Sequence, residues 1–175
     1  MLVTRGTPMD SPRSRPASNR GLVALLLALS ALVGGGLAGA SAGESGDFDP
    51  DGWLHGAAGL FEALRQVKTS SKPLVVYFYA DWCGYCRQFE RELLGTPEVR
   101  RYLEDVHAVM INPEKGARER ELAAYYRVQG YPALFVRGRS SGSLARVERY
   151  RMVGGRPEML SPGELVDAIE QASRR

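Results

Sequence analysis

The chain has 175 residues, of which 44% are hydrophobic and 25% are charged, and this composition is typical of a protein with one folded domain. Its formal net charge of +3 comes from residues 1–40, because the rest of the chain carries equal numbers of acidic and basic side chains. A balanced domain without a basic face offers no electrostatic basis for binding nucleic acid, so we exclude that class of function.

Residues 1–42 have the composition of a secretory signal peptide. A polar stretch with arginines is followed by an apolar run over residues 21–33 and by a segment of small residues over 34–43. This order of charged, apolar and small-residue parts predicts export, with cleavage after Ala40 or Ala42. An uncleaved membrane anchor is the alternative, because the apolar and small residues together are just long enough to cross a bilayer.

Residues 43–52 are rich in glycine, serine and aspartate, which predicts a flexible lead-in to a folded domain over residues 53–175. Within this domain, hydrophobic residues at helical spacing predict a first helix over residues 57–69. The continuous apolar run over residues 74–80 is rich in β-branched and aromatic side chains. This run predicts a central strand that is buried on both faces.

The rest of the domain is predicted to alternate helices and strands. The next helix begins at the cysteines, with Cys83 first, and Thr96 followed by proline predicts the start of a second, short helix. Ser161 and Glu164 form a capping box at the start of the closing helix. The remaining predicted elements are a strand over residues 106–111, a helix over 117–126, a strand over 133–136, a turn over 138–143 and an antiparallel strand over 146–153.

Cys83 and Cys86 are the only cysteines in the chain. A bond between them closes a very small loop and removes little entropy from the unfolded chain, so we interpret the pair as a redox couple. A cysteine attacks a disulfide as its thiolate, which the N–H groups and the positive dipole end of a helix N-terminus stabilise. Cys83 is therefore predicted to be a solvent-exposed nucleophile. Cys86, one turn further along the helix, is predicted to be the resolving thiol.

Metal or haem binding is the alternative for two cysteines at this spacing. A structural zinc site needs about four ligands, and His55 and His107 are the only histidines in the chain. Arg87 follows the second cysteine, whereas attachment of a c-type haem requires a histidine there. The sequence therefore favours redox chemistry, with no bound metal.

The most informative segment is WCGYC at residues 82–86, which follows the apolar strand and precedes GYP at residues 130–132. Together these features resemble the thioredoxin superfamily over about residues 53–173. The segments ADWCGYCRQFE and TPEVRRYL are most similar to the C-terminal domain of the bacterial membrane thiol:disulfide interchange reductase and to small periplasmic thioredoxin-related proteins. The resemblance implies a thioredoxin-like α/β fold, with a central mixed β-sheet flanked by helices.

The resemblance also implies which residues bind substrate. Pro132 is expected to be a cis-proline that lies against the disulfide, and the backbone of Tyr131 is expected to pair with an extended segment of substrate. Without the cysteine pair, GYP would indicate only a turn. Trp82 either covers the cysteines and excludes water or is an aromatic residue packed beside them.

Three positions depart from the pattern of the superfamily. Tyr77 stands where thioredoxin has a buried aspartate, and a phenol cannot serve as a carboxylate base. Glu90 is the candidate to modulate the pKa of Cys86, because it lies four residues later on the same helical face; a solvated surface glutamate is the alternative. Arg91 replaces the proline that kinks this helix in thioredoxin, which implies a straighter helix. Tyr85 gives a Gly-Tyr dipeptide that also occurs in periplasmic disulfide isomerases, so the direction of the reaction stays open.

We interpret the protein as an extracytoplasmic thiol–disulfide oxidoreductase, periplasmic or secreted, that reduces disulfides of substrate proteins through Cys83 and Cys86. The reductase-like sequence and the absence of histidine between the cysteines favour reduction over oxidation. A membrane-bound electron donor is expected to restore the dithiol, no organic cofactor is required, and the protein is expected to be a monomer. A disulfide isomerase and a redox-inactive binding or chaperone module are the alternatives.

Overall fold

The structure is a computed structural model that describes residue 48, residues 50–139 and residues 142–175. The predicted signal peptide over residues 1–42 and most of the lead-in over residues 43–52 lie outside the described residues. Within the part that is described, no helix combines the length and the apolar character needed to cross a membrane.

The described part of the chain contains α-helices, β-strands and two shorter helical turns. The helices are α1 (Gly56–Val67), α2 (Gly84–Phe89), α3 (Pro97–Leu103), α4 (Ala117–Tyr125) and α5 (Pro162–Ser173). The strands are β1 (Leu54–His55), β2 (Leu74–Phe78), β3 (His107–Ile111), β4 (Ala133–Arg137), β5 (Leu144–Val147), β6 (Tyr150–Val153) and β7 (Arg156–Met159). A π-helical turn over Glu90–Leu94 continues α2, and a 3-10 helix over Pro113–Lys115 follows β3.

Five strands form the central sheet in the order β1-β3-β2-β4-β5. Strands β1, β3 and β2 are parallel, whereas β4 runs antiparallel to β2 and β5 antiparallel to β4. Every residue of β2 is buried, in agreement with the predicted central strand over residues 74–80. The expected α/β architecture with a mixed sheet is therefore confirmed.

Separate hydrophobic clusters cover the two faces of the central sheet, because successive residues of a strand point to opposite sides. Val75 and Tyr77 of β2 belong to the cluster that includes residues of α3 and α5. Val76 and Phe78 belong to the cluster that includes residues of α1 and α4. The end of β2 is thereby held between both layers, and the cysteine segment that follows it starts from a rigid position.

The helix starts follow the local sequence. The side chain of Thr96 accepts a hydrogen bond from the N–H of Val99 at the start of α3. At the start of α5, Ser161 Oγ accepts the N–H of Glu164, and the carboxylate of Glu164 accepts the N–H of Ser161 at 2.7 Å. The predicted capping box is therefore confirmed.

The prediction of a single strand over residues 146–153 is wrong. Strand β5 ends at Val147, and the chain bends before β6 starts at Tyr150. At this bend, Arg149 Nη1 donates a hydrogen bond to the carbonyl oxygen of Pro132 at 2.9 Å. The bend moves the second half of the predicted strand out of the central sheet.

Strand β6 instead pairs with β7 in a separate two-stranded sheet, and β7 was not predicted. Gly154 and Gly155 connect these strands with φ values of 56° and 80°. Two successive residues with positive φ are the requirement of the tight hairpin turn that matches strand twist, and glycine meets it without strain. The Gly-Gly dipeptide was the sequence signal for this hairpin.

The cysteine-bearing helix also differs from the expected straighter helix. Its second half is the π-helical turn, in which the N–H of Gly95 donates to the carbonyl oxygen of Glu90 at 2.6 Å, five residues earlier. A Cβ atom at Gly95 would lie 2.9 Å from that oxygen, so the turn requires glycine there. Position 91 holds arginine and not proline, yet the helix is still not a continuous α-helix, because the π-helical turn interrupts it.

Candidate active site

Cys83 is the N-terminal cap of α2. Its Sγ accepts a hydrogen bond from the N–H of Cys86 at 3.1 Å, and its carbonyl oxygen accepts the N–H groups of Cys86 and Arg87. The two cysteines form a disulfide, with their Cα atoms 5.2 Å apart. The start of the helix thus directs an N–H donor at the sulfur on which a thiolate charge would develop.

Both cysteines are more enclosed than the sequence predicts. Cys83 is 3% exposed and Cys86 is 1% exposed, so the prediction that Cys83 faces open solvent is wrong for the disulfide form. Ala80 is buried with the pair, and Tyr79 and Tyr131 pack against it. Tyr131 comes from a distant part of the sequence, which is why local spacing could not predict this cover.

Trp82 lies beside the disulfide in an exposed position. Its indole Nε1 donates to the carboxylate of Glu114 at 2.8 Å, and its ring packs edge-on against Tyr131 with 6.3 Å between centroids. Burial and the negative charge of Glu114 raise the pKa of Tyr131 above its ordinary value. Trp82 is 66% exposed and Tyr85 67% exposed, so two large aromatic surfaces border the cysteines and are open to a partner.

Tyr131 and Pro132 form the segment directly before β4. The peptide bond between them is cis, and Pro132 is buried. The carbonyl oxygen of Pro132 accepts the hydrogen bond from Arg149, and β4 begins at the next residue. The structure therefore brings the predicted residues Trp82 and Tyr131 together beside Cys83, and Pro132 lies next to Tyr131 directly before β4.

Glu90 begins the π-helical turn that continues α2 and is buried, with 8% of its surface exposed. Its Oε1 accepts a hydrogen bond from the phenol of Tyr77 at 2.8 Å. Burial and the nearby carboxylate raise the pKa of Tyr77 well above its ordinary value, so this phenol acts as a donor. The alternative of a solvated surface glutamate is therefore wrong for Glu90.

Glu90 and Cys86 both line a cavity of about 270 Å³. Asp81 and Lys115 lie on the same cavity wall and form an ion pair at 2.6 Å. The hydrogen bond and positive charge of Lys115 hold the pKa of Asp81 below its ordinary value. Charged and polar side chains therefore line this cavity together with Cys86.

Sequence reasoning missed several residues around the site. Asp81 receives a further hydrogen bond from Asn112 Nδ2 at 2.9 Å, and both Glu114 and Arg149 anchor groups that border the cysteines. Asn112 and Glu114 follow β3, and Arg149 follows β5. Only the position of Asp81, next to the motif, was available as a local signal.

The histidines considered as zinc ligands lie in other settings. His107 Nε2 is hydrogen-bonded to Ser70 Oγ at 2.7 Å, at the start of β3. Within residues 50–139 and 142–175 and at residue 48, no group of three or more histidine, cysteine or acidic side chains has the arrangement of a metal site.

Comparison with known sequences identifies the family. The sequence profile of the thioredoxin-like domain matches residues 60–154, which is more than half of the chain. The chain belongs to the thioredoxin-like domain family. The resemblance inferred from residues 82–86 is thereby confirmed.

Among relatives of this thioredoxin-like protein are thiol:disulfide interchange proteins named DsbD. The protein is 34% identical over 76 residues to DsbD of Salmonella typhi, covering 43% of this chain and 13% of that protein. It is 32% identical over 93 residues to DsbD of Pseudomonas fluorescens, covering 53% of this chain and 16% of that protein. The chain therefore spans less than a fifth of the length of these relatives.

Solved structures of a DsbD domain and of a thioredoxin are also similar to this thioredoxin-like protein. The oxidised C-terminal domain of Neisseria meningitidis DsbD matches with a TM-score of 0.52 and 26% identity, over 69% of this chain and 98% of that domain. A thioredoxin from Thermus thermophilus matches with a TM-score of 0.50 and 26% identity, over 69% of this chain and 86% of that protein. The fold and the relation to DsbD and thioredoxins rest on these matches together with the family profile.

Proposed function

We propose that this protein reduces disulfides of substrate proteins outside the cytoplasm, by dithiol–disulfide exchange at Cys83 and Cys86. The observation that carries the proposal is the disulfide at the N-terminus of α2, with Cys83 as the cap of that helix. The signal-peptide pattern over residues 1–42 supports export, and the similarity to DsbD supports a place in a thiol–disulfide relay.

The exchange takes place in two steps. The Cys83 thiolate attacks one sulfur of a substrate disulfide, which forms a mixed disulfide and releases the other substrate sulfur as a thiolate that takes up a proton. The Cys86 thiolate then attacks Cys83 Sγ, so that the second substrate sulfur leaves and the Cys83–Cys86 disulfide forms. Two electrons and two protons pass to the substrate, and a dithiol donor at the membrane returns the protein to its reduced form.

Glu90 is proposed to accept the proton of Cys86 before the second step. Its burial and its place on the wall of the same cavity as Cys86 support this role. A carboxylate in such a setting serves as a base for a thiol that cannot reach bulk water directly. Tyr77 keeps the carboxylate in position through its hydrogen bond.

Trp82, Tyr131 and Pro132 are proposed to bind the substrate segment that carries the disulfide. Trp82 offers an exposed aromatic surface, and the Tyr131 ring packs against both Trp82 and the cysteine pair. The proposed unit is a monomer that uses no metal and no organic cofactor.

Trapping of intermediates tests the mechanism. Reduced Cys86→Ser protein is expected to accumulate mixed disulfides with protein substrates, because Cys83 attacks but no resolving thiol releases the adduct. Non-reducing electrophoresis followed by mass spectrometry identifies the adducts, and Cys83→Ser is the matched control that should form almost none. The same partners bound without covalent adducts would instead identify a binding module.

The reduction potential tests the direction of transfer. Equilibration with glutathione or dithiothreitol buffers should give a potential near that of reducing thioredoxins, about −270 mV. A value near that of strong oxidants, about −120 mV, would contradict a reductase. Refolding of a scrambled substrate faster than its plain reduction would favour the isomerase.

A further inference from the structure

We propose that Arg149 is a positioning residue for protein substrates, because it fixes the carbonyl oxygen of Pro132. It thereby fixes the Tyr131–Pro132 segment that is proposed to bind substrate, which we call the groove wall. The inference deepens the proposed function and rests on it. Arg149 is not part of the cysteine motif and lies between β5 and β6, at the bend that the sequence did not predict.

The contact of Arg149 with Pro132 is specific. Nη1 donates to the Pro132 carbonyl oxygen at 2.9 Å, across 17 positions of the sequence. A charged donor makes a stronger hydrogen bond to a carbonyl than a neutral donor, and the planar guanidinium holds it in a fixed direction. Pro132, directly before β4, is thereby tied to the residue that follows the adjacent end of β5 by two positions.

The guanidinium is kept at this place despite a local cost. Among the described residues, Arg149 Nε is the side-chain N or O atom that is buried without a hydrogen-bond partner. An unpaired buried N–H is unfavourable, so the remaining contacts of the side chain must offset it. The neighbouring cavity, lined by Arg149 and Pro132, measures about 10 Å³, which is too small for a substrate group. This cavity therefore offers no room for substrate, and the observed contact of the guanidinium is with the groove wall.

Further contacts hold Arg149 in place. Its guanidinium carbon lies 4.9 Å from the centre of the Tyr150 ring. Its carbonyl oxygen accepts the N–H of Leu160 at 2.9 Å, where the chain returns from β7. Residues at the base of the β6–β7 hairpin thus contact both the backbone and the side chain of Arg149, and the Arg149 guanidinium reaches Pro132.

The groove wall lies next to the cysteines but takes no part in the exchange of sulfur bonds. Tyr131 packs against the cysteine pair and against the ring of Trp82. Loosening the adjoining residue should therefore weaken the binding of an extended protein segment, while the sulfur chemistry, set by α2, is kept. A small aromatic disulfide reaches Cys83 without pairing along the groove and reports on that chemistry alone.

Steady-state kinetics of the full chain test the inference. We expect Arg149→Met to raise KM for insulin about tenfold at little-changed kcat, the loss that corresponds to one charge-assisted hydrogen bond. The rate with 5,5′-dithiobis(2-nitrobenzoate) should change less than about twofold, because this small disulfide does not pair along the groove wall and loses no binding contact there. Arg149→Lys, which keeps a charged donor, should restore part of the affinity for insulin.

Arg146→Met is the matched control. Arg146 lines the same small cavity, but its charge pairs with Glu148 at 3.4 Å, and its replacement should leave both reactions unchanged. An equal change of both rates by Arg149→Met, or an unchanged KM for insulin, would overturn the inference. If Arg149→Met does not fold, as judged by its circular dichroism, Arg149→Lys serves as the test. Its rate with insulin is then compared with its rate with 5,5′-dithiobis(2-nitrobenzoate), and only the rate with insulin should fall. Failure of the unmodified protein to reduce insulin would instead contradict the proposed function.

Discussion

Tyr77 stands at the position where thioredoxin has a buried aspartate, and its phenol contacts Glu90. Tyr77 is fully buried, and burial together with Glu90 raises its pKa so far that it stays protonated. Its O–H then donates a hydrogen bond to one oxygen of a buried carboxylate and offsets part of the hydration that this group loses on burial. The tyrosine therefore does not replace the missing base, but it allows Glu90 to stay inside the protein next to the cavity of Cys86.

Replacement of Glu90 tests this arrangement at the residue scale. Glu90→Gln keeps the size and the acceptor for Tyr77 but removes the base, so release of the mixed disulfide should slow by roughly tenfold to a hundredfold at pH 7. Formation of the mixed disulfide by Cys83 should be little affected. Rapid-quench measurement of both steps with a disulfide-bearing peptide separates them.

The pH profile distinguishes a base from a merely structural residue. The deficit of Glu90→Gln should shrink above about pH 9, where solvent hydroxide ionises an ordinary thiol without help. Glu92→Gln changes a neighbouring side chain that is 44% exposed and should leave both steps as they are. A deficit that is equal at all pH values would show that Glu90 only supports the fold.

The elements around the site end where the backbone makes special turns. The cysteine helix widens into the π-helical turn over Glu90–Leu94, and the turn closes on Gly95. Strand β5 ends just before the bend at Arg149. The chain then forms the separate β6–β7 hairpin, whose turn is Gly154 and Gly155. Hydrophobic spacing predicts where helices and strands lie, but such turns depend on single backbone contacts.

Substitution of Gly95 tests the π-helical turn at the scale of the element. Gly95→Ala should destabilise the protein by about 1 to 3 kcal/mol, because its Cβ would meet the Glu90 carbonyl oxygen at 2.9 Å. Gly130→Ala is the control, since a Cβ there meets nothing within 4 Å. Urea denaturation measures both changes; equal stability of the two variants would show that the turn tolerates a side chain.

At the scale of the whole molecule, buried tyrosines link stability to pH. Tyr126 is 8% exposed and packs against Phe78 and Phe135 on one face of the sheet. Burial and the adjacent Tyr125 raise the pKa of Tyr126 to about 12. An acid with a raised pKa in the folded state holds its proton more tightly there than in the unfolded chain. Its contribution to stability is therefore complete below about pH 10 and is lost as the pH rises towards 12.

Alkaline unfolding measures this contribution. Between pH 9 and pH 11 the free energy of unfolding should fall about 1 kcal/mol less in Tyr126→Phe than in the unmodified protein. Tyr85→Phe alters a tyrosine that is 67% exposed and lies away from Tyr126, and it should keep the original pH dependence. Identical slopes in all three proteins would contradict the assignment to Tyr126.

Much of the fold followed from short-range patterns. The buried strand over residues 74–80, the helix that starts at the cysteines and the capping box at Ser161 and Glu164 were all predicted, because each depends on residues within a few positions of one another. The split of residues 146–153 was not predicted, since the alternating pattern is the same on both sides of the bend.

The sequence by itself determined the chemistry of this protein: two cysteines one turn apart, placed at a helix N-terminus after a buried strand. Only the tertiary structure decided how that chemistry is enclosed. The cover of Cys83 by Tyr131, the hydrogen bond from Tyr77 to Glu90 and the one from Arg149 to Pro132 join distant segments. Such contacts follow from the packing of the sheet and its layers, and local spacing carries no information about them.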